Sequence, residues 1–192
     1  YVIVPSLAGL TELHPRLQIE LQAEDRLIDM AREGVDIAIR TGSVQTESLV
    51  ARRIGVHTRR LYATPGYLKR FGTPRHPDDL AQHRLITNSA ATHLNRWPWV
   101  LDGVAVERPM LGHYRAASTG IMMSMVLSGL GICRCNDIVA RPLQQQGLLV
   151  PVLEAFTDRQ EFPVYALMQP QRDRLPRVKA CIDYWAGFFG KM

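Results

Sequence analysis

The order of helix-like and strand-like segments near the start of the chain constrains the fold more than any other feature of the sequence. Apolar residues recur at three- and four-residue steps in 1–15 and in 24–33, as they do in amphipathic helices. Residues 16–21 alternate as a strand, and 35–40 (VDIAIR) form the next strand after a helix-closing Gly34. Helices and strands that alternate with short connections predict a parallel sheet covered by helices, with 35–40 as an inner strand.

The remaining chain continues this mixture of helices and strands. The Asp-Gly pair at 102 and 103 predicts a tight hairpin turn, and Ser118 or Thr119 is expected to cap a methionine-rich helix. Methionines at helical spacing are more often core filler than a cofactor site. Further strands are predicted at 59–63, 84–87, 132–135, 148–153 and 162–170, and further helices at 67–72, 76–83, 137–147 and 176–189.

Composition is that of a soluble globular protein, either one domain of two lobes or two small domains. The chain has 192 residues, 46% of them apolar, and no apolar run approaches the roughly 18 residues of a membrane span. The net charge of +5 is scattered. Its densest part is formed by Arg52, Arg53, Arg59 and Arg60. These residues are expected to be a solvated rim, because no aromatic residues interleave to stack nucleic-acid bases. An odd count of three cysteines predicts a reducing compartment, hence the cytoplasm, with Cys133 and Cys135 as core fillers.

No catalytic or cofactor-binding motif occurs in the sequence. The nucleophile elbow, the phosphate-binding loop, the paired zinc-binding histidines and the Cys-x-x-Cys pair are all absent. The glycines of SGLGI close a helix instead of opening one, and no two of the six histidines stand four residues apart. We therefore predict no catalytic residue, no metal ligand and no cofactor.

Polar residues do follow several of the predicted strands. Open α/β sheets bind ligands at the carboxyl ends of their parallel strands, and the amide groups that open a helix attract anions. Each of these residues also has a structural interpretation, as a turn glycine, an Asx turn or a helix cap. Their shared location predicts a small polar ligand and favours an anionic one. The candidates are Arg40, Thr41 and Gly42 after one strand, Asn88 and Ser89 after another, and Ser118 and Thr119 at the start of a helix.

Four segments of the chain resemble a known protein family in their order and spacing. They are LIDMAREGVDIAIRTGSVQTESLVARRIG, YATPGYLKRFGTPRHPDDLAQHRLI, MVLSGLGI and LPRVKACIDYW. Together they resemble the effector-binding, substrate-binding-like domain of LysR-type transcriptional regulators, over nearly the whole chain. A single segment would be weak support, whereas four segments in register are strong.

The resemblance implies an α/β fold of the type II periplasmic-binding-protein kind, with two Rossmann-like lobes joined by two crossover strands. Lobe one would comprise 1–58 and 165–192, and lobe two 59–164, with a small effector bound in the cleft between them. Residues beside the two crossovers then join the effector-binding candidates. They are His57, Phe162 and Pro163.

The resemblance also implies partners. Members of the family contact DNA only through an N-terminal winged helix-turn-helix, a pattern that these residues do not contain. They form homodimers or homotetramers through the first helix and the following strand, here about 4–21. Many members have a proline where this chain reads RCND, which puts Arg134 and Cys135 near the cleft or hinge.

The expected function is therefore ligand sensing within a bacterial, cytoplasmic transcription regulator, without catalysis and without membrane insertion. Three other interpretations stay open from the sequence. A periplasmic solute-binding protein of a transporter shares the two-lobed architecture, although unpaired cysteines favour the regulator. A small α/β enzyme would need a base or nucleophile that the sequence does not reveal, and direct DNA binding would show a steep dependence of affinity on salt.

Overall fold

The computed structural model describes residues 1–23, 28–42 and 48–191. The chain forms two compact units, and its described residues pass from one to the other after His57 and after Gln160. The first unit contains the described residues up to 57 together with those from 161 onward, and the second contains 58–160.

Five α-helices and ten strands are present in the described residues. In chain order, the helices are α1 (Ile3–Leu13), α2 (Pro65–Phe71), α3 (Thr119–Leu127), α4 (Asp137–Gln145) and α5 (Pro176–Phe189). The strands are β1 (Ala38–Thr41), β2 (Val50–His57), β3 (Arg59–Ala63), β4 (Leu85–Asn88), β5 (Arg96–Leu101), β6 (Val104–Pro109), β7 (Tyr114–Ala116), β8 (Ile132–Asn136), β9 (Val150–Val152) and β10 (Phe162–Met168). Short 3-10 helices lie at Pro77–Gln82, Thr92–Asn95, Glu154–Phe156 and Arg172–Arg174. None of the helices in the described ranges is long and apolar enough to cross a membrane.

The first unit is built on a three-stranded sheet in the order β1-β10-β2. Strand β10 runs antiparallel to both neighbours, so β1 and β2 are parallel to each other on either side of it. Helix α5 packs against β2, where Gly55 leaves room for the ring of Phe189. Helix α1 is tied to α5 by a hydrogen bond of 3.0 Å from Trp185 Nε1 to the buried hydroxyl of Ser6. The buried residues of α5 form the apolar stripe that its sequence predicts, namely Val178, Cys181, Ile182, Trp185 and Phe189.

Two strand predictions for this unit are wrong. Residues 35–40 do not form an inner parallel strand, because β1 lies at the edge of the described sheet and pairs antiparallel with β10. Strand β10 comes from a distant part of the chain, so no local pattern encodes its insertion between β1 and β2. Residues 16–21 pair with no described strand, although Leu17 and Ile19 are half-buried as their alternation predicts. Alternation favours extended backbone, but a strand also needs a hydrogen-bonding neighbour.

The helix predicted over 24–33 lies partly outside the described residues. Its described part forms a single turn, in which the Asp29 carboxylate accepts hydrogen bonds from two backbone N–H groups. Gly34, with a φ of +70°, ends that turn as predicted. The N–H of Val35 then donates to the carbonyl of Met30 at 3.0 Å, which is the pattern expected where a left-handed glycine closes a helical turn.

The second unit contains a five-stranded sheet in the order β7-β4-β8-β3-β9 and a separate hairpin, β5-β6. Strand β4 is parallel to β7 and β8, whereas β3 is antiparallel to β8 and β9. The hairpin turns at Asp102 and Gly103, both with positive φ, as the Asp-Gly pair predicts. Helix α3 follows Ser118, its N-cap residue, and buries Met122 and Met123, which confirms the core-filler interpretation of its methionines. One cluster of the apolar core consists of Leu61, Ala63, Tyr67, Leu80, Leu85, Trp97, Trp99, Ile132, Val152 and Leu153.

The segment predicted as a helix at 76–83 is the shorter 3-10 helix Pro77–Gln82. His76 and His83, which flank it, are both extended, so only a short run remains, and short runs favour 3-10 geometry. The carboxylate of Asp79 accepts the backbone N–H groups of Arg75 and His76 at 2.8 and 2.9 Å. The segment leads directly into β4, whose carboxyl end carries two of the candidate residues.

Candidate functional site

The candidates of the first unit lie together at one end of its three-stranded sheet. Arg40 and Thr41 end β1, in register with Tyr165 and Val164 of β10. The N–H of Gly42 donates to the carbonyl of Pro163 at 2.9 Å, which brings the end of β1 to the start of β10. Gly42 has a φ of +91°, a backbone conformation that favours glycine.

His57 and Phe162 complete this group on the other side of β10. The two residues are in register across β10 and β2, and their rings stack with centroids 5.5 Å apart and planes at 24°. His57 is buried, with 2% of its surface exposed. All six candidates of this unit therefore lie at the same end of the sheet. In the sequence, Arg40, Thr41, Gly42 and His57 are more than 100 residues away from Phe162 and Pro163.

The candidates of the second unit also lie together, at the carboxyl ends of two parallel strands. Asn88 ends β4 in register with Ala116, the last residue of β7. The N–H of Ser89 donates to the carbonyl of Ala116 at 2.9 Å. Ser118 and Thr119 follow two and three residues later, where α3 begins. This is the edge at which α/β sheets bind ligands.

The two halves of the Asn88 amide differ in their hydrogen bonding. Its Oδ1 accepts hydrogen bonds from the N–H groups of Ala90 and Ala91 at 2.8 and 2.7 Å, an Asx turn that fixes the loop after β4. Asn95 braces the same residue, since its side chain bonds both the N–H and the carbonyl of Asn88. The Nδ2 group of Asn88 makes no hydrogen bond to any residue that the structure describes. Its two N–H donors are therefore available to a ligand.

Helix α3 contributes further donors. Ser118 is extended and occupies the N-cap position, but its hydroxyl makes no capping hydrogen bond. The first amide groups of an α-helix have no acceptor within the helix. Over the described ranges, the N–H groups of Gly120 and Ile121 have no hydrogen-bond acceptor. Hydrogen-bond donors therefore predominate where β4, β7 and α3 meet, and the helix dipole adds partial positive charge there.

Arg59 and Arg134 of the second unit lie near each other, which the sequence alone does not predict. Arg59 was predicted to belong to a solvated rim, but it is half-buried, and burial lowers the pKa of its guanidinium. Burial, followed by the nearby charge of Arg59, lowers the pKa of Arg134 to about 10. The alternation of β3 was the available signal, because it places Arg59 on the opposite face from Arg60.

Neither a metal site nor a reactive thiol is supported by the residues that the structure describes. No cluster of three histidine, cysteine or acidic residues that could hold a metal ion occurs among residues 1–23, 28–42 and 48–191. Cys133 and Cys135 are buried free thiols, as expected for core fillers. A hydrogen bond with Cys133, together with burial, raises the pKa of the Cys135 thiol, which disfavours the reactive thiolate.

Comparison with known proteins places these features in a family. The family described as LysR substrate binding domain matches residues 1–189. An HTH-type transcriptional regulator of Xanthomonas campestris pv. campestris (strain 8004) is 31% identical over 186 residues, which cover 95% of this chain and 54% of that protein. The uncharacterized HTH-type transcriptional regulator YhjC of Escherichia coli (strain K12) is 32% identical over 191 residues, or 97% of this chain and 62% of that protein. The solved regulatory domain of CrgA, a LysR-type transcriptional regulator from Neisseria meningitidis, has a TM-score of 0.90 at 28% identity and covers 98% of this chain and 92% of its own.

The fold is thus that of the regulatory domains of LysR-type regulators, which confirms the expected two-lobed α/β class. The chain belongs to the LysR substrate-binding domain family. It spans 54% and 62% of the lengths of the two curated relatives described above.

Proposed function

We propose that this chain is the ligand-sensing part of a bacterial, cytoplasmic LysR-type transcription regulator and that it binds a small anionic effector. The observation that carries the proposal is the group of donors at the carboxyl ends of β4 and β7. Asn88 Nδ2, the Ser118 hydroxyl and the first amide groups of α3 all offer hydrogens there. An anion accepts such hydrogen bonds and also gains from the helix dipole.

The residues proposed to contact the effector are those at the two sheet edges. In the second unit they are Asn88, Ser89, Ser118 and Thr119. In the first unit they are Arg40, Thr41, Gly42, His57, Phe162 and Pro163. The close grouping of each set supports the proposal, because a ligand needs several polar contacts converging on one place.

The proposed mechanism is a shift between conformations of the full-length regulator. An effector that binds one conformation more tightly raises the population of that conformation, by as much as its affinities differ. In the full-length protein that shift would reposition the DNA-binding parts, which lie outside this chain. The proposed partners are thus DNA, through an N-terminal winged helix-turn-helix, and further copies of the protein.

The proposed contact between copies involves the first helix and the residues after it, about 4–21. Val4, Leu13 and Leu21 support this contact, since they are 62%, 66% and 46% exposed. Exposed apolar residues close together in sequence favour a surface that another chain covers. The names of the relatives also favour regulation over transport and catalysis, because both curated relatives are called transcriptional regulators.

A ligand screen with matched variants tests the effector proposal. The melting temperature of the chain would be measured against small organic acids and aromatic metabolites, where an effector at 100 times its Kd adds about 2.7 kcal/mol. Ser118→Ala should weaken the stabilising effect of the effector. Ser128→Ala, which removes a hydroxyl at the other end of α3, should leave it unchanged.

The same variants in a full-length regulator, with a transcriptional reporter, test whether binding controls DNA. Ser118→Ala and Thr41→Val should shift the effector concentration for half-maximal response, and Ser128→Ala should not. The proposal fails if no compound raises the melting temperature and all three variants respond as the unmodified protein does.

A further inference from the structure

Arg134 is a half-buried cation in the middle of the five-stranded sheet. It lies on β8 in register with Leu61 of β3, a residue of the apolar core. Its guanidinium makes no hydrogen bond or ion pair with any of residues 1–23, 28–42 and 48–191. Removing a charge from water without a partner is costly, so an unpaired cation in such a place needs an explanation.

A second guanidinium lies on the same face of the sheet. Arg59 of β3 is in register with Asn136 of β8, two residues beyond Arg134, and alternate residues of a strand share a face. The Nε of Arg59 donates to Asn136 Oδ1 at 3.2 Å, so the position of this side chain is fixed. Two neighbouring cations repel each other, which adds to the cost of burying Arg134.

Nearby carboxylates do not form an ion pair with Arg134. Glu107 and Asp158 both exert a favourable electrostatic effect on Arg134, but neither lies within ion-pair distance of its guanidinium. Glu107 is instead bound by the Nε of Arg96 at 2.9 Å. Asp137, next along the chain, is also engaged, because its carboxylate accepts the Thr58 N–H and the guanidinium of Arg141.

We propose that Arg134, with Arg59 beside it, is the point at which the effector site recognises a carboxylate, so that the effector is a small organic acid. A planar guanidinium binds a carboxylate through two parallel hydrogen bonds, and desolvation strengthens that pairing. Strand β8 runs parallel to β4, and the last pair in register between them is Cys133 with Ile86. Arg134 is the next residue of β8 after this pair. It therefore lies towards the carboxyl end of the sheet, as Asn88 does. This inference rests on the proposed function and adds the chemical class of the effector.

The test compares carboxylates with their amides on the purified chain. Melting temperatures would be measured in sodium benzoate and sodium succinate, in sodium chloride at equal ionic strength, and in benzamide and succinamide. A carboxylate at 100 times its Kd should raise the melting temperature by about 5 °C or more, whereas chloride and the amides should not. Arg134→Met should abolish the effect of the carboxylates. Arg60→Met is the matched control, because Arg60 is next to Arg59 in β3 but pairs with Glu154 at 2.8 Å.

The ligand-free variants separate a binding role from a structural one. If the charge of Arg134 is paired only when a ligand binds, Arg134→Met removes an unpaired buried charge from the ligand-free chain. This variant should then melt at a higher temperature than the unmodified chain. If Arg134 stabilises the fold through Asp158, the same variant should melt at a lower temperature, and the inference is overturned.

The inference is also overturned if benzamide and succinamide stabilise the chain as well as the acids do, if no carboxylate raises the melting temperature, or if Arg134→Met keeps the carboxylate effect. The proposed function has its own test in the Ser118→Ala and reporter experiments, which do not involve Arg134. A neutral effector that depends on Ser118 would therefore refute the carboxylate inference and leave the regulator proposal intact.

Discussion

Replacing Asn88 by aspartate should separate its role in the loop from its proposed role in effector binding, because the change keeps one half of the side chain and alters the other. In the unmodified chain, the N–H groups of Ala90 and Ala91 lie 2.8 and 2.7 Å from the amide oxygen of Asn88. A carboxylate oxygen at the same position should still accept both hydrogen bonds. The loop should therefore keep its conformation and the stability of the chain should change little. The donor group Nδ2 becomes an acceptor with negative charge, so affinity for an anionic effector should fall.

The magnitudes follow from the hydrogen bonds at this position. Asn88→Ala loses two hydrogen bonds of about 0.5–1.5 kcal/mol each, so the free energy of unfolding should decrease by about 1–3 kcal/mol. Asn88→Asp should cost much less in stability. A lost hydrogen bond to a charged group is worth about 1.5–3 kcal/mol, which corresponds to roughly a 10- to 150-fold weaker Kd for an anionic effector.

Asn95→Asp is the contrasting control, because it makes the same chemical change with the opposite expectation. The Nδ2 of Asn95 donates to the carbonyl of Asn88 at 2.7 Å, so a carboxylate there would face another oxygen. Urea unfolding and effector titration by calorimetry would measure both quantities. If Asn88→Asp binds an anionic effector as tightly as the unmodified chain, Asn88 serves the loop alone. If it is as unstable as Asn88→Ala, the hydrogen-bond assignment at this turn is wrong.

Three further predictions concern buried polar groups. Ser6→Ala leaves the Trp185 indole N–H without the acceptor it has at 3.0 Å, so urea unfolding should show a loss of about 1–3 kcal/mol. Burial lowers the pKa of His83, so below pH 6.5 the unfolded chain binds more protons than the folded one. The free energy of unfolding should then fall as pH decreases from 7 to 5. In His83→Gln, the free energy of unfolding measured by urea titration should change less over the same pH range. Cys133 and Cys135 are buried with a raised pKa at Cys135, so a thiol reagent should modify them only as fast as the chain unfolds; faster labelling of the folded protein would contradict this.

Local patterns in the sequence predicted those parts of the fold that depend on neighbouring residues. The apolar stripe of α5, the turn at Asp102 and Gly103, and the glycine that ends the turn before β1 all depend on short-range geometry. The grouping of Asn88 with Ser118 was also predictable, because parallel strands bring their carboxyl ends to one edge.

Long-range pairing limited what the sequence could predict. The insertion of β10 between β1 and β2 joins residues far apart in the chain, and it made an expected inner strand an edge strand. The burial of Arg59 and Arg134 escaped prediction for a similar reason. Both arginines lie on the same face of the sheet as Leu61, which packs in one cluster with Trp97 and Trp99 of the hairpin. The sequences of β3 and β8 contain no pattern that predicts this packing.

The balance of donors and acceptors at the sheet edge of the second unit argues for an acceptor-rich ligand. Most of the acceptors are occupied within the protein: Asn88 Oδ1 by two amides, Asn136 Oδ1 by Arg59, and the Asp137 carboxylate by two donors. The donors at Asn88 Nδ2 and Arg134 have no such acceptor within the described ranges. A donor-rich or cationic ligand would leave these groups unsatisfied, and a buried unsatisfied group costs more than an ordinary hydrogen bond contributes. An organic anion would satisfy them, and we propose that this difference allows the edge to discriminate between metabolites.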